Sequence, residues 1–191
     1  MRSRSAHRPD HRSAGTATPE TATKGGDLTH IDEHGQARMV DVTGKSPTHR
    51  VAEARCVVCT AADTMTVLAD PPGGGDLLET ARLAGILAAK QTSSLIPLCH
   101  PIRLDEIAVT VGIAAGGFEV TAVTQVVERT GVEMEALTGC ATAALVLLQA
   151  CLERDPLTRL EGLTLWHKSG GRSGTWERDH QGVVHGDRSG R

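Results

Sequence analysis

Two stretches of this 191-residue chain combine residue types that do chemistry. The first is Lys168-Ser169-Gly170-Gly171-Arg172-Ser173-Gly174, which packs two cations, two hydroxyls and three glycines into seven residues. Glycines let backbone N–H groups curl round an anion, and cations neutralise it, so Lys168 and Arg172 are candidate phosphate ligands. The competing reading is a flexible surface loop. The second stretch is Gly131-Val132-Glu133-Met134-Glu135. Two residues apart, the carboxylates do not share a helical face. At a helix N-terminus both lie at the positive end of the dipole, one capping and one reaching into a cleft. His100, in Leu98-Cys99-His100-Pro101, is by itself most simply a satisfied structural histidine. Beside two carboxylates and an anion loop, it completes an acid/base site for a phosphorylated substrate, with His100, Glu133 and Glu135 handling protons.

Three shorter motifs carry less. His30-Ile31-Asp32-Glu33-His34 fits the inverted zinc-peptidase pattern H-x-x-E-H. That pattern needs a buried helix and a third ligand, and Gly35 follows at once, so a polar loop is the preferred reading. Cys56-Val57-Val58-Cys59 is a single C-x-x-C within a strand pattern, where residues three apart point to opposite faces. Two structural cysteines are expected, with no second pair to complete a zinc site. Gly44-Lys45-Ser46 lacks the earlier glycine of a phosphate loop, Met39 standing in its place. Lys45 is read as a turn lysine. Neither a metal nor a cofactor is assigned.

These residues need elements to hold them. Val51 to Thr60 alternates, with Ala52, Ala54, Cys56 and Val58 on one face, as a half-buried strand does. Asp63 to Ala69 reads as a short helix, ended by Pro71-Pro72-Gly73-Gly74-Gly75. Asp76 with Glu79 opens a second helix reaching about Lys90. Gln91 to Pro101 reads as loop. Ile107 to Ile113 and Phe118 to Val127 read as a hairpin about Gly116-Gly117. A helix follows to about Arg154. From Ala136 to Leu152 it has no charged residue, so sheet or a partner subunit should bury it. Leu160 to Lys168 is the expected last strand. Helices set among hairpin-linked strands predict an α+β fold, an antiparallel sheet packed with helices.

Composition removes several classes of function. Aromatic residues make up 2%, too few for a binder that stacks single-stranded bases. The net charge of -3 offers no overall basic field to a duplex. Neither nucleic acid nor membrane is an expected partner, since no apolar run approaches the roughly 20 residues of a spanning helix. Five cysteines are too few, and odd in number, for a disulfide scaffold. A reducing cytoplasm is the expected location. Residues 1–26 hold five basic side chains and no Val, Ile, Leu or aromatic residue, the composition of a disordered basic tail. Residues 178–191 are expected to be a loose C-terminal tail. That leaves one folded domain, residues 27–177.

Taken together, the motifs resemble one family. They are Leu28-Thr29-His30-Ile31-Asp32, Arg38-Met39-Val40-Asp41-Val42, Thr80-Ala81-Arg82-Leu83-Ala84-Gly85-Ile86, Leu95 to Pro101, Thr130 to Thr138, and Lys168-Ser169-Gly170-Gly171. In this order, from about Leu28 to Trp176, they are similar to MoaC, the cyclic pyranopterin monophosphate synthases of molybdenum cofactor biosynthesis. The resemblance implies a ferredoxin-like fold and a hexamer built as a trimer of dimers, with its site at a subunit interface. It implies conversion of 3',8-cyclo-7,8-dihydroguanosine 5'-triphosphate to cyclic pyranopterin monophosphate and pyrophosphate. The family's substrate-contacting segments fall on Leu98, Cys99, His100, Met134 and Glu135, and its polar positions on Glu133, Lys90 and Lys168.

Three positions depart from the family pattern. Gly74 stands where members usually carry a lysine, and Gln149 and Leu152 where they carry an aspartate and a lysine assigned to catalysis. Gln149 does not exchange a proton near neutrality, and Leu152 has no polar atom. The alternative reading is therefore a catalytically impaired relative that binds a pterin or nucleotide, or acts in assembly.

Overall fold

The structure is a computed structural model; it describes residues 30–32, 34–69 and 76–186. The expected basic tail, residues 1–26, and Gly74 lie outside them. Six strands form one antiparallel sheet: β1 (Thr48–Cys59), β2 (Glu106–Ala114), β3 (Gly117–Glu128), β4 (Arg159–Ser169), β5 (Trp176–Arg178) and β6 (Val184–Gly186). Their order is β2-β3-β1-β4-β5-β6. The helices are α1 (Ala62–Ala69), α2 (Leu77–Lys90), α3 (Thr92–Leu95) and α4 (Glu133–Leu152). The first four strands with α2 and α4 follow the ferredoxin-like β-α-β-β-α-β pattern.

Alternation makes β1 the centre of the sheet. Ala52, Ala54, Cys56 and Val58 are buried beneath α4, and the residues between them lie on the opposite face. There Arg55 pairs with Glu53 at 2.6 Å and lies over the Trp166 ring. Asp76 caps α2 by accepting the backbone N–H of Glu79 at 2.8 Å, while the Glu79 side chain turns outward to pair with Arg82. α4 buries Ala136, Gly139, Cys140, Ala143, Ala144, Leu147 and Cys151, an interval of three to four residues that puts them on one stripe. Gly85 of α2 and Gly139 of α4 meet where the two helices cross.

Several boundaries differ from the sequence reading. Residues 92–95 form a helical turn inside the expected loop, because Ile96 N–H reaches Thr92 O at 2.8 Å. The β2–β3 turn is Ala115-Gly116, with Gly116 at φ +88° and Gly117 already in the strand. β4 is not the last strand. Asp179 accepts the backbone N–H groups of Gln181 and Val183 at 2.9 and 2.8 Å, closing a turn that returns β6 along β5 past residue 177. α4 has 20 residues and the length and composition of a membrane span, which the sequence reading did not expect. Only one of its faces is covered here: Leu145 and Leu152 are exposed, as are Leu83 and Leu87 on α2.

A Cβ on Gly85 would lie 2.8 Å from Gly139 O and 3.1 Å from Ala143 Cβ. Alanine ordinarily favours a helix interior over glycine by about 1 kcal/mol. Here the backbone carbonyl cannot move aside, so Gly85→Ala is expected to destabilise by about 1–3 kcal/mol, as overpacking does. Urea unfolding measures this; an equal or greater stability would contradict the close helix contact.

Candidate active site

The site forms where the end of β4 meets the start of α4. The pairing of Ala52 with Lys168 and Val51 with Ser169 fixes where β4 releases the chain. Lys168 Nζ donates to Glu133 Oε1 at 2.7 Å, with the side chains only 16% and 29% exposed. Half-buried, this pair is screened less than a surface pair. Glu133 is the first residue of α4. The N-cap, Val132, is buried, and its carbonyl accepts the Thr124 hydroxyl of β3 at 3.0 Å. Gly131 lies beside it, where a Cβ would displace the Glu133 carboxylate from its present position. No side chain caps α4, so the expected capping carboxylate is corrected: Glu133 turns to Lys168 instead.

Glu135 is 4% exposed. Burial raises its pKa from 4.5 to about 7; the nearby negative charge of Glu133 adds to this, and its own backbone N–H opposes it. Close to neutrality it therefore holds a proton for part of the time. Cys99 lies near enough to feel that charge. Its thiol is pushed up by burial first and by Glu135 second, so it stays protonated. The turn that carries it is closed by Cys99 N–H on Ile96 O at 3.0 Å. Leu98 and His100 are half-buried in the same segment. His100 makes no hydrogen bond or ion pair among the described residues. Met134 is exposed between the two glutamates, and Lys90 is exposed at the end of α2.

The loop after β4 keeps the geometry that its glycines suggest. Gly170, Gly171 and Gly174 have φ of +86°, +72° and +65°, and Arg172 is exposed among them. Arg50, which no motif singled out, lies under this loop. Its Nε and Nη2 donate to the carbonyls of Glu128 and Arg129 at 3.0 and 3.1 Å. A lone arginine near the start of a strand carries no sequence signal, because its partners are carbonyls some eighty positions away.

The structure thus draws together Glu133 with Lys168 and Glu135 with Cys99. Among the described residues, His100, Lys90 and Arg172 make no hydrogen bond or ion pair with either pair. The weaker motifs fall elsewhere. Ile31 bridges Ala37, and Asp32 Oδ1 accepts from His34 and Gln36 N–H at 2.9 and 2.8 Å. His30 and His34 therefore sit on a tight turn rather than a helix; Glu33 is outside the described residues. No group of three or more His, Cys, Asp or Glu is placed to hold a metal among the described residues. Cys56 points inward, 3.3 Å from Cys140 Sγ, and Cys59 points the other way, toward Glu161. Lys45 sits in a turn held by Asp41 and Thr43.

The chain is similar to known proteins over most of its length. Residues 39–171 match the model of the MoaC family. A cyclic pyranopterin monophosphate synthase of Novosphingobium aromaticivorans is 47% identical over 152 residues, covering 79% of this chain and 97% of the relative. The protein of that name from Thermomicrobium roseum is 46% identical over 162 residues, 83% of this chain and 98% of its own. Cyclic pyranopterin monophosphate synthase 2 of Mycobacterium bovis is 44% identical over 158 residues, 81% and 93% of the two chains. The matched region contains β1, α4 and the first half of the glycine loop, and the relatives cover about four-fifths of the chain: the chain belongs to the MoaC family.

Proposed function

We infer that this chain is a cyclic pyranopterin monophosphate synthase, a lyase of molybdenum cofactor biosynthesis acting on a small-molecule substrate. That substrate is the cyclised GTP intermediate. The observation that carries the reading is the buried carboxyl of Glu135 beside the Lys168–Glu133 pair, in a chain related along nearly its whole folded length to proteins of that name. The chemistry is acid/base opening and re-closure of the purine-derived ring, then cyclisation of a phosphate with loss of pyrophosphate. Such a reaction needs proton donors and acceptors near neutral pH and cations for the leaving phosphates.

The residues divide by charge. Glu133 and Glu135 repel phosphate and face the ring end, with Cys99, Met134 and Leu98 beside them. His100 joins them in proton handling. Lys168, Arg172 and Lys90 meet the triphosphate, together with backbone N–H groups of residues 169–174. Without ligand, Glu133 holds the ammonium of Lys168 in place. A phosphate drawing on the same ammonium loosens that pair and leaves Glu133 a freer base. A second reading, a relative that binds the ligand without turning it over, is favoured by Gln149 and Leu152, neither of which can move a proton.

We further propose a homo-oligomer in the cytoplasm. The cytoplasm keeps Cys99 a thiol. Oligomerisation covers the outer leucines of α2 and α4: Leu83, Leu87, Leu145 and Leu152 are the kind of exposed apolar residues that a subunit interface buries. A trimer of dimers is the expected form. Light scattering at micromolar concentration should report an assembly, and Leu87→Glu with Leu145→Glu should reduce its mass. A monomeric unsubstituted protein would contradict this.

The function is tested by incubating the protein with the cyclised GTP intermediate and looking for the pyranopterin product and pyrophosphate. Product is expected, at a rate that falls above about pH 7 as Glu135 loses its proton. Glu135→Gln should lower the rate by about 10²-fold or more. Absence of product from the unsubstituted protein favours the binding-only reading. The same proton also affects stability. The folded state keeps it where the unfolded chain has released it, so its contribution is full below pH 4.5 and is lost as pH rises to about 7.

A further inference from the structure

Arg50 links the two segments that carry the site. Its guanidinium donates through Nε to Glu128 O and through Nη2 to Arg129 O, the last residue of β3 and the first of the connection to α4. On its other side is the glycine loop. A Cβ on Gly171 would lie 2.9 Å from Arg50 Cζ and 3.0 Å from Nη2, and closer still to Nη1. A Cβ on Gly170 would run into the carbonyl of His49, next to Arg50 in the chain. The loop after Lys168 is therefore folded directly onto the strand residues that carry this guanidinium. The connection held by Arg50 leads through Gly131 to Glu133, and the loop resting on it leads back to Lys168.

We propose that Arg50 is a positioning residue for the phosphate end of the site. It braces the β3–α4 connection against the glycine loop and so sets the approach of Glu133 to Lys168. Only arginine has the shape for this. Its rigid fork bonds two successive carbonyls while the rest of the guanidinium lies close to Gly171 of the loop; a lysine ammonium at that place is a point charge. Gly171 leaves room for the guanidinium, and Gly170 for the backbone that carries it. The inference rests on the phosphate-binding role proposed for Lys168, but does not require turnover.

The test is a double-mutant cycle read by calorimetry with inorganic tripolyphosphate. It uses the unsubstituted protein, Arg50→Lys, Lys168→Gln and the double variant, at low ionic strength so that the remaining cations keep binding measurable. Arg50→Lys keeps the charge and the stem, and its melting temperature serves as the folding check. Arg50→Gln goes through the same cycle as a second variant. If Arg50 acts through Lys168, Arg50→Lys should weaken binding about tenfold when Lys168 is present and less than about threefold when it is not. Equal losses in both backgrounds would mean that Arg50 meets the anion itself, and would overturn the proposal. So would unchanged affinity in Arg50→Lys. Product formation by the unsubstituted protein reports separately on the synthase reading, so the two can fail independently.

Discussion

Everything at the site depends on how closely α4 lies on the sheet. The contact is made of small side chains. Ala52, Ala54 and Cys56 of β1 face Ala136, Cys140, Ala143 and Ala144 of α4, and Gly85 and Gly139 bring α2 and α4 together backbone to backbone. Phe118 is the only aromatic residue in this core. Thin layers leave little freedom of depth or rotation, because each backbone sits almost on the next. The N-terminus of α4 is thereby fixed at one end of β1, where β4 releases Lys168. A core of leucines and phenylalanines would separate the layers and carry Glu133 away from its partner.

From that placement the electrostatics follow. Glu133 stays within reach of Lys168, and a half-buried ion pair answers one carboxylate. Two residues on, Glu135 turns into the protein, where no cation among the described residues pairs with it. It responds to burial as an unpaired carboxyl does, by holding its proton to higher pH. One short stretch thus holds a carboxyl paired with a cation and, two residues on, a buried carboxyl that keeps a proton for part of the time near neutrality. This division suits proton transfer in both directions, and a difference of environment produces it rather than a difference of residue type. The cationic side is built on loop backbone, where left-handed glycines let the chain turn over Arg50 without a side chain in the way.

Much of this was legible in the sequence because it is written in local spacing. The alternation of Ala52, Ala54, Cys56 and Val58 marked β1 and its buried face. Asp76 with Glu79 marked the start of α2, and the clustering of charge and glycine after Lys168 marked the loop. What was not legible depends on long-range register. Nothing near Glu133 says that Lys168, thirty-five residues on, will reach it; that follows from β4 pairing with β1 beneath α4. The expectation that one of the two glutamates caps the helix failed for the same reason, since a distant cation takes its carboxylate. Three-residue strands such as β5 and β6 are too short to show a period, and only the Asp179 turn gives them away.

The central claim is that the site has two ends, a cationic end at Lys168 for phosphates and an acid/base end at His100, Glu133 and Glu135 for the ring. Titration calorimetry with the cyclised GTP triphosphate and with a pterin lacking phosphates, on Lys168→Ala and His100→Ala, tests it most directly. A charged hydrogen bond contributes roughly 1.5–3 kcal/mol, so Lys168→Ala should weaken the triphosphate about tenfold or more and leave the phosphate-free pterin nearly unchanged. His100→Ala should spare the phosphate contribution. Equal losses for both ligands in Lys168→Ala would contradict the account and leave Lys168 as the structural partner of Glu133 alone.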